Sequence, residues 1–340
     1  TQYWLIYLLI VLGVAFLWLA FRGRVPEQRH AARGMLVAMV AGGILFLPWL
    51  PTFLSQRAHT GTPWGDGQLP IQTFRTTMDQ FANGTSLLHP QLNALAAVYV
   101  LLVLLGAFGV AAGRTRVDVD LRTQPAVRWE FLAFVVGLGV ALTAAWIGNS
   151  AFDARYASIV FPLFVFVVVV GFTTLEWRPV LAGAVALVVV LGFAGAARNV
   201  LDRRTQAPAV AAVLDAEAKP GDVVVYCPDQ LGPAVHRLLH ARGVREITYP
   251  SFDTPTLVDW VDYRDKVAKA DPRAFAQRVA DETGTDHAVW YVDNTGYTSF
   301  EERCTELYNS LSARYPDTAI KLSADDHTFE AANVFRLGAG

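Results

Sequence analysis

Charge is what this 340-residue chain has least of: Asp, Glu, Lys and Arg together make up 17% of it, against 53% hydrophobic residues. A soluble domain rarely reads so apolar, and the shortage is local: residues 131–149 and 158–175 hold no Asp, Glu, Lys or Arg at all. Membrane-spanning helices are therefore the first expectation. Lysine is scarcer still, and Lys219, Lys266, Lys269 and Lys321 all lie in the second half, whose composition is that of an ordinary soluble domain. With a net charge of −2 and no basic patch interleaved with aromatics, nothing points to nucleic acid. The only cysteines, Cys227 and Cys304, are too few for a metal framework or a disulfide scaffold. They either form one bridge, if that half lies outside the cytoplasm, or stay reduced and packed. No basic region precedes the first apolar run, so it does not read as a signal peptide. Tyr3 and Trp4 read instead as the aromatic edge of a helix entered partway.

Two domains follow: a polytopic α-helical membrane domain over 1–200, with about six transmembrane helices, and a soluble α/β domain over 201–340 with a mostly parallel sheet. The six apolar segments are 3–21, 35–54, 93–113, 131–149, 158–175 and 180–197, each long enough, or nearly so, to cross about 30 Å of hydrocarbon. Glu176-Trp177-Arg178-Pro179 joins the last two as a tight helical hairpin. Arginine sets the orientation. Arg22, Arg24, Arg29 and Arg33 crowd one connection, and Arg114, Arg116, Arg122 and Arg128 another, so both belong in the cytoplasm. The connection 55–92, the break at 150–157 and the C-terminal domain then face outward, against the juxtamembrane Arg198, Arg203 and Arg204.

Pro48 and Pro51 should kink or end the second helix. Within 55–92, Ile71, Phe74, Met78 and Phe81 recur at helical spacing, which suits an amphipathic helix in the interface or one packed against the bundle. Asn83-Gly84-Thr85 has the form of a glycosylation sequon, a triplet common by chance. In the second half, strands at 222–227, 246–249, 287–292, 319–322 and 329–337 alternate with helices at 209–217, 231–241, 272–283 and 299–315. The turn after the first strand, Cys227-Pro228-Asp229-Gln230-Leu231-Gly232-Pro233, lacks G-x-G-x-x-G, which excludes a Rossmann-type nucleotide site there.

The stretch Gly148-Asn149-Ser150-Ala151-Phe152-Asp153-Ala154-Arg155-Tyr156-Ala157 holds an aspartate, an arginine and a tyrosine where hydrocarbon meets water. Such residues either mark the interface or grip a phosphate carried on a lipid. The spans carry no charged side chain of the kind that pumps, transporters and voltage sensors use at mid-membrane. Candidate chemistry collects at the outward end instead: His59, Thr60, Thr62, Trp64, Asp66, His89, Asp153, Arg155 and Tyr156. A site there meets a ligand with its tail in lipid and its head in water, as sugar-phosphate lipids have. His59, His89 and Asp66 are too widely spaced to argue for a metal; no cofactor is assigned, and a divalent cation has no support.

Leu47-Pro48-Trp49-Leu50-Pro51 followed by His59-Thr60-Gly61-Thr62-Pro63-Trp64, then Asp153-Ala154-Arg155-Tyr156 ahead of a Phe161-Pro162 span, resembles the GT-C glycosyltransferases, in particular the protein-mannosyltransferase and aminoarabinose-transferase type. The resemblance covers residues 1 to about 200 and implies an enzyme of the inner membrane and cell envelope. Such an enzyme moves a sugar from a polyprenyl phosphate to a glycan or protein acceptor outside the cytoplasm. It implies that Arg155 and Tyr156 meet the lipid phosphate and that 59–64 is a loop near the active site. It also places the catalytic acid in a first outer loop upstream of Thr1, so the chain reads as the C-terminal part of such an enzyme. Asp66 and Asp153 are the local substitutes, without support from spacing. The alternatives are a non-catalytic membrane scaffold whose soluble domain binds a partner or envelope polymer, and a flippase or transporter for the same lipids.

Overall fold

The computed structural model describes residues 3–60, 62, 65–83, 93–201, 203–284, 286–294, 300, 302–325 and 327–338. The chain divides into two compact units, Thr1–Leu54 with Asp66–Leu201, and Ser55–Gly65 with Asp202–Gly340. A short piece of the first long connection thus groups with the C-terminal unit.

In chain order the helical part comprises α1 (Leu5–Arg22), α2 (Pro26–Phe46), α3 (Leu50–His59), α4 (Pro70–Asn83), α5 (Asn93–Phe108), β1 (Gly109–Ala111), β2 (Val117–Val119), α6 (Arg128–Ile147), α7 (Phe161–Thr173) and α8 (Arg178–Leu201). Among the described residues four helical runs are long and apolar enough to cross a membrane: Leu5–Arg22, Pro26–His59, Arg128–Ile147 and Arg178–Leu201. The expectation of six is corrected at 93–113 and 158–175, where α5 has 16 residues and α7 has 13. Two local causes shorten them. Gly109–Ala111 leaves the helix to pair antiparallel with Val117–Val119. Residues Ala154–Ile159 are taken by a 3-10 turn, so α7 starts only at Phe161, with Pro162 in its first turn where a missing N–H costs nothing. Pro48 and Pro51 do not end the second helix. A 3-10 turn at Leu47–Trp49 joins α2 to α3 in one 34-residue helical run.

The first unit packs around Leu102, Phe134, Leu138, Phe164 and Val167. The Phe164 ring lies 5.3 Å from Phe81, 5.8 Å from Tyr99 and 5.6 Å from Phe134. Helices α5 and α7 cross at two glycines. A Cβ on Gly106 would lie 2.2 Å from the Val167 carbonyl oxygen, and one on Gly171 would lie 2.1 Å from that of Leu102. Close backbone approach through small residues is how apolar helices associate where burial alone gives little drive. Of the stripe on α4, Phe74, Met78 and Phe81 pack into this core, while Ile71 is exposed. Contacts also sort the ends of the bundle. Trp4 meets Phe152 and Tyr156, and Trp49 Nε1 donates to Tyr3 Oη, at one end. At the other, Trp18 lies against Trp129 and Phe108 against Phe131, beside the connections rich in arginine.

The second unit contains α9 (Ala207–Glu217), β3 (Val223–Cys227), α10 (Gly232–His236), β4 (Arg245–Thr248), α11 (Tyr263–Lys269), α12 (Pro272–Thr283), β5 (Val289–Asp293), α13 (Arg303–Ser312), β6 (Asp317–Leu322) and β7 (Asn333–Gly338). Its five strands run in the order β4-β3-β5-β7-β6. The expected mostly parallel sheet is a mixed one: β3 is parallel to β4 and β5, whereas β7 is antiparallel to β5 and β6. The connection 323–332 between β6 and β7 is too short for a helical crossover, so the strands form a hairpin and β7 enters beside β5 reversed. Both faces of β3 and β5 are buried, which their unbroken runs Val-Val-Val-Tyr-Cys and Val-Trp-Tyr-Val-Asp reflect. Asp222 ties the layers by accepting from the Ala288 N–H and from Trp290 Nε1, each at 2.9 Å. A disulfide joins Cys227 to Cys304, strand end to helix.

Candidate functional site

The polar break after α6 is built from chain reversals. The Gly148 N–H bonds back to Ala144 and that of Ser150 to Ala145, closing the helix. Asn149 takes a left-handed φ of 43°, which Asn tolerates better than most residues, and its side chain serves a distant segment. Its Oδ1 accepts from the Gly67 N–H at 2.9 Å, and its Nδ2 reaches Asp66 Oδ1 at 3.4 Å. Position 67 is tight, since a Cβ there would sit 3.0 Å from the Ala145 carbonyl oxygen and from Asn149 Cα, so the backbone would have to give slightly for any larger residue. Asp66 is thereby brought to the break from 83 positions away.

Asp153 caps the following 3-10 turn, accepting from the Arg155 N–H at 2.9 Å. Its carboxylate also lies 3.7 Å from Arg155 Nε. The Arg155 side chain is 66% exposed and its guanidinium carbon stands 5.2 Å from the Tyr156 ring centre. Tyr156 in turn stacks on Trp4, with centroids 5.5 Å apart and planes within 18°. Asp66, Asp153, Arg155 and Tyr156 therefore gather in the first unit. Chemically, this is a planar, largely exposed cation beside a carboxylate and an aromatic stack, the type of group that meets anions.

His59, Thr60 and Thr62 lie in the second unit. His59 Nδ1 meets Asp262 Oδ1 at 2.8 Å, and the Asp262 N–H donates to the His59 carbonyl. Arg264 Nη2 donates to the Gly65 carbonyl at 3.1 Å. The Thr60 hydroxyl turns back onto the Gln56 carbonyl. These bonds fasten the 55–65 segment. Trp64, His89 and Gly84-Thr85 of the sequon lie outside the described residues.

Several polar groups had no sequence signal. At the carboxyl end of β3, Asp229 is buried and accepts from the Tyr263 hydroxyl, which itself accepts from Gln230 Nε2 at 2.9 Å. Burial pushes the Asp229 carboxyl up to about 6, against the opposing bond from Tyr263. Burial also raises Asp293, at the end of β5, and Glu330. Tyr226 donates to Glu246 Oε2 at 2.6 Å, and His236 Nδ1 meets Glu246 Oε1 at 2.7 Å. On α4, Asp79 is 92% removed from solvent, at 8% exposure. No family model, curated protein or solved structure matches the chain.

Proposed function

We propose that the chain serves a membrane glycosyltransferase that moves a sugar from a polyprenyl-phosphate donor to an extracytoplasmic glycan or protein acceptor. The single observation that carries this reading is the Arg155 guanidinium, 66% exposed and steadied by Asp153 and the Tyr156–Trp4 stack, between the charge-free runs 131–149 and 158–175. The order of the Leu-Pro-Trp-Leu-Pro, His-Thr-Gly-Thr-Pro-Trp and Asp-Ala-Arg-Tyr segments, with the resemblance drawn from them, supports it. In the transfer the bond from the sugar's anomeric carbon to the phosphate oxygen breaks and a new one forms to an acceptor oxygen. The acceptor's proton passes to a base, and the polyprenyl phosphate departs with an added negative charge. Arg155 meets that charge as it develops, where a fixed donor is most effective. The break then faces the outer side of the inner membrane, with the arginine-rich connections in the cytoplasm.

Membranes carrying the chain, given a labelled polyprenyl-phosphate sugar, test this. Arg155→Ala should lower transfer by about a hundredfold or more, and Arg155→Lys, which keeps the charge but not the fork, by less. Equal transfer by wild type and Arg155→Ala would remove the reading.

A further inference from the structure

A carboxyl group inside an apolar helical bundle is costly unless something answers it, and an ionisable residue among membrane helices is a candidate functional residue for that reason. Asp79 is such a group. It lies on α4, which packs against α5, α6, α8 and the 3-10 turn bearing Arg155. The residue is 8% exposed. Its carboxyl has no hydrogen bond or ion pair among the described residues. The neighbouring hydroxyls do not serve it: Thr73 donates to the Leu69 carbonyl at 3.3 Å and Thr77 to the Thr73 carbonyl at 2.7 Å. Gln230 Oε1 is the one fully sealed, unpartnered side-chain polar atom among the described residues, so the Asp79 oxygens keep a narrow opening.

A second polar group shares this side of the bundle. Ala82 on α4 and Ala96 on α5 form a small buried cluster with Tyr99 and Leu191 against it. Asp79 stands one helical turn before Ala82, and Tyr99 one turn after Ala96, so each projects from the face that carries its alanine. Tyr99 is half-buried, and its hydroxyl also lacks a hydrogen-bond partner among the described residues. The alanines let the two helices pack closely where they meet. Two unanswered groups, one an acceptor and one both donor and acceptor, stand on these two helix faces.

We propose that Asp79 and Tyr99 form a ligand site that takes a hydroxyl-bearing sugar ring, Asp79 accepting from one hydroxyl and Tyr99 bonding a second. The choice of a sugar rests on the function proposed above; the site itself rests on the two unpartnered groups. No bond is made or broken in this binding.

The test uses the chain in phospholipid nanodiscs, with Asp79 modified by an apolar carbodiimide and read by mass spectrometry. Octyl mannoside or octyl glucoside, below micellar concentration, should slow Asp79 labelling by about fivefold at a few times its Kd. Octanol, which has the tail without the ring, should leave the rate unchanged. Tyr99→Phe should keep the labelling and lose most of the protection. No labelling of Asp79, equal protection by octanol, or protection by an octylammonium salt but not by either glycoside would overturn the proposal. Protection that survives while Arg155→Ala leaves transfer unchanged would remove the transferase reading and keep the site. Transfer that depends on Arg155 without glycoside protection would do the reverse.

Discussion

The two units use the same apolar residue types in opposite ways. In the second unit Tyr226, Trp290 and Tyr291 are fully enclosed, and their polar atoms bond to Glu246, Asp222 and the Cys304 carbonyl. In the first unit Phe193 is 76% exposed and Leu45 is 82% exposed, and no residue of the best apolar window in Pro26–His59 is buried. A sheet domain in water must hide its aromatics to gain from them. Helices in lipid have no such drive, so their cohesion falls to close contacts such as Gly106 and Gly171 and to the few inward rings around Phe164. The difference teaches that one hydrophobic count carries two meanings, and that a buried polar group is informative in both: bonded at Tyr226, Trp290 and Tyr291 in the sheet domain, unanswered at Asp79 in the bundle.

Substitutions sharpen this contrast. Trp290→Ala should destabilise the second unit by roughly 3–5 kcal/mol, through the cavity and the loss of one of the bonds to Asp222, whereas Phe193→Ala should leave the melting of either unit nearly unchanged. Denaturant unfolding of the full chain in detergent reads both, and equal effects would break the comparison. Reducing Cys227–Cys304 removes a cross-link spanning 77 positions and should cost about 4 kcal/mol in the same unit, with no change in the helical unit's thermal transition.

Protons give a smaller effect. Asp229, raised to about 6 by burial, binds its proton more tightly folded than unfolded. Its contribution is fully present below the ordinary value of 3.8 and is lost as pH rises through about 6, up to about 3 kcal/mol. Asp293 and Glu330 shift in the same direction for the same cause. The second unit should therefore melt higher at pH 5 than at pH 8, and Asp229→Asn should flatten that slope. A melting temperature that instead rises toward pH 8 would contradict the burial account.

What the chain told in advance follows the range over which each signal acts. Helix α12 is found at its expected bounds because Asp271, Pro272 and Gly284 punctuate it locally, with Asp271 accepting from the Arg273 N–H. Helix α11 was missed because it lacks such punctuation: Asp262 precedes it in a left-handed conformation and makes no capping bond. Helix α10 is five residues long where 231–241 was expected, and its end leads into a turn whose N–H groups at His240 and Ala241 bond to Asp215. At the break, Arg155 and Tyr156 could be singled out by position alone. The tie from Asn149 to Gly67 and Asp66, and the stack of Tyr156 on Trp4, are long-range contacts with no local pattern. The stripe Phe74, Met78, Phe81 was legible on α4, but Asp79 sits on its flank, where its burial is decided by how α4 packs on its neighbours.

The central claim is that Arg155 grips the phosphate of a lipid carrier, and direct binding tests it without any transfer step. A short-chain polyprenyl phosphate, titrated into the chain in nanodiscs and followed by the fluorescence of Trp4 beside Tyr156, should bind wild type at least about tenfold more tightly than Arg155→Ala. It should also bind more tightly than the uncharged polyprenol of the same length. Equal affinity across the two proteins, or for phosphate and alcohol alike, would contradict the account.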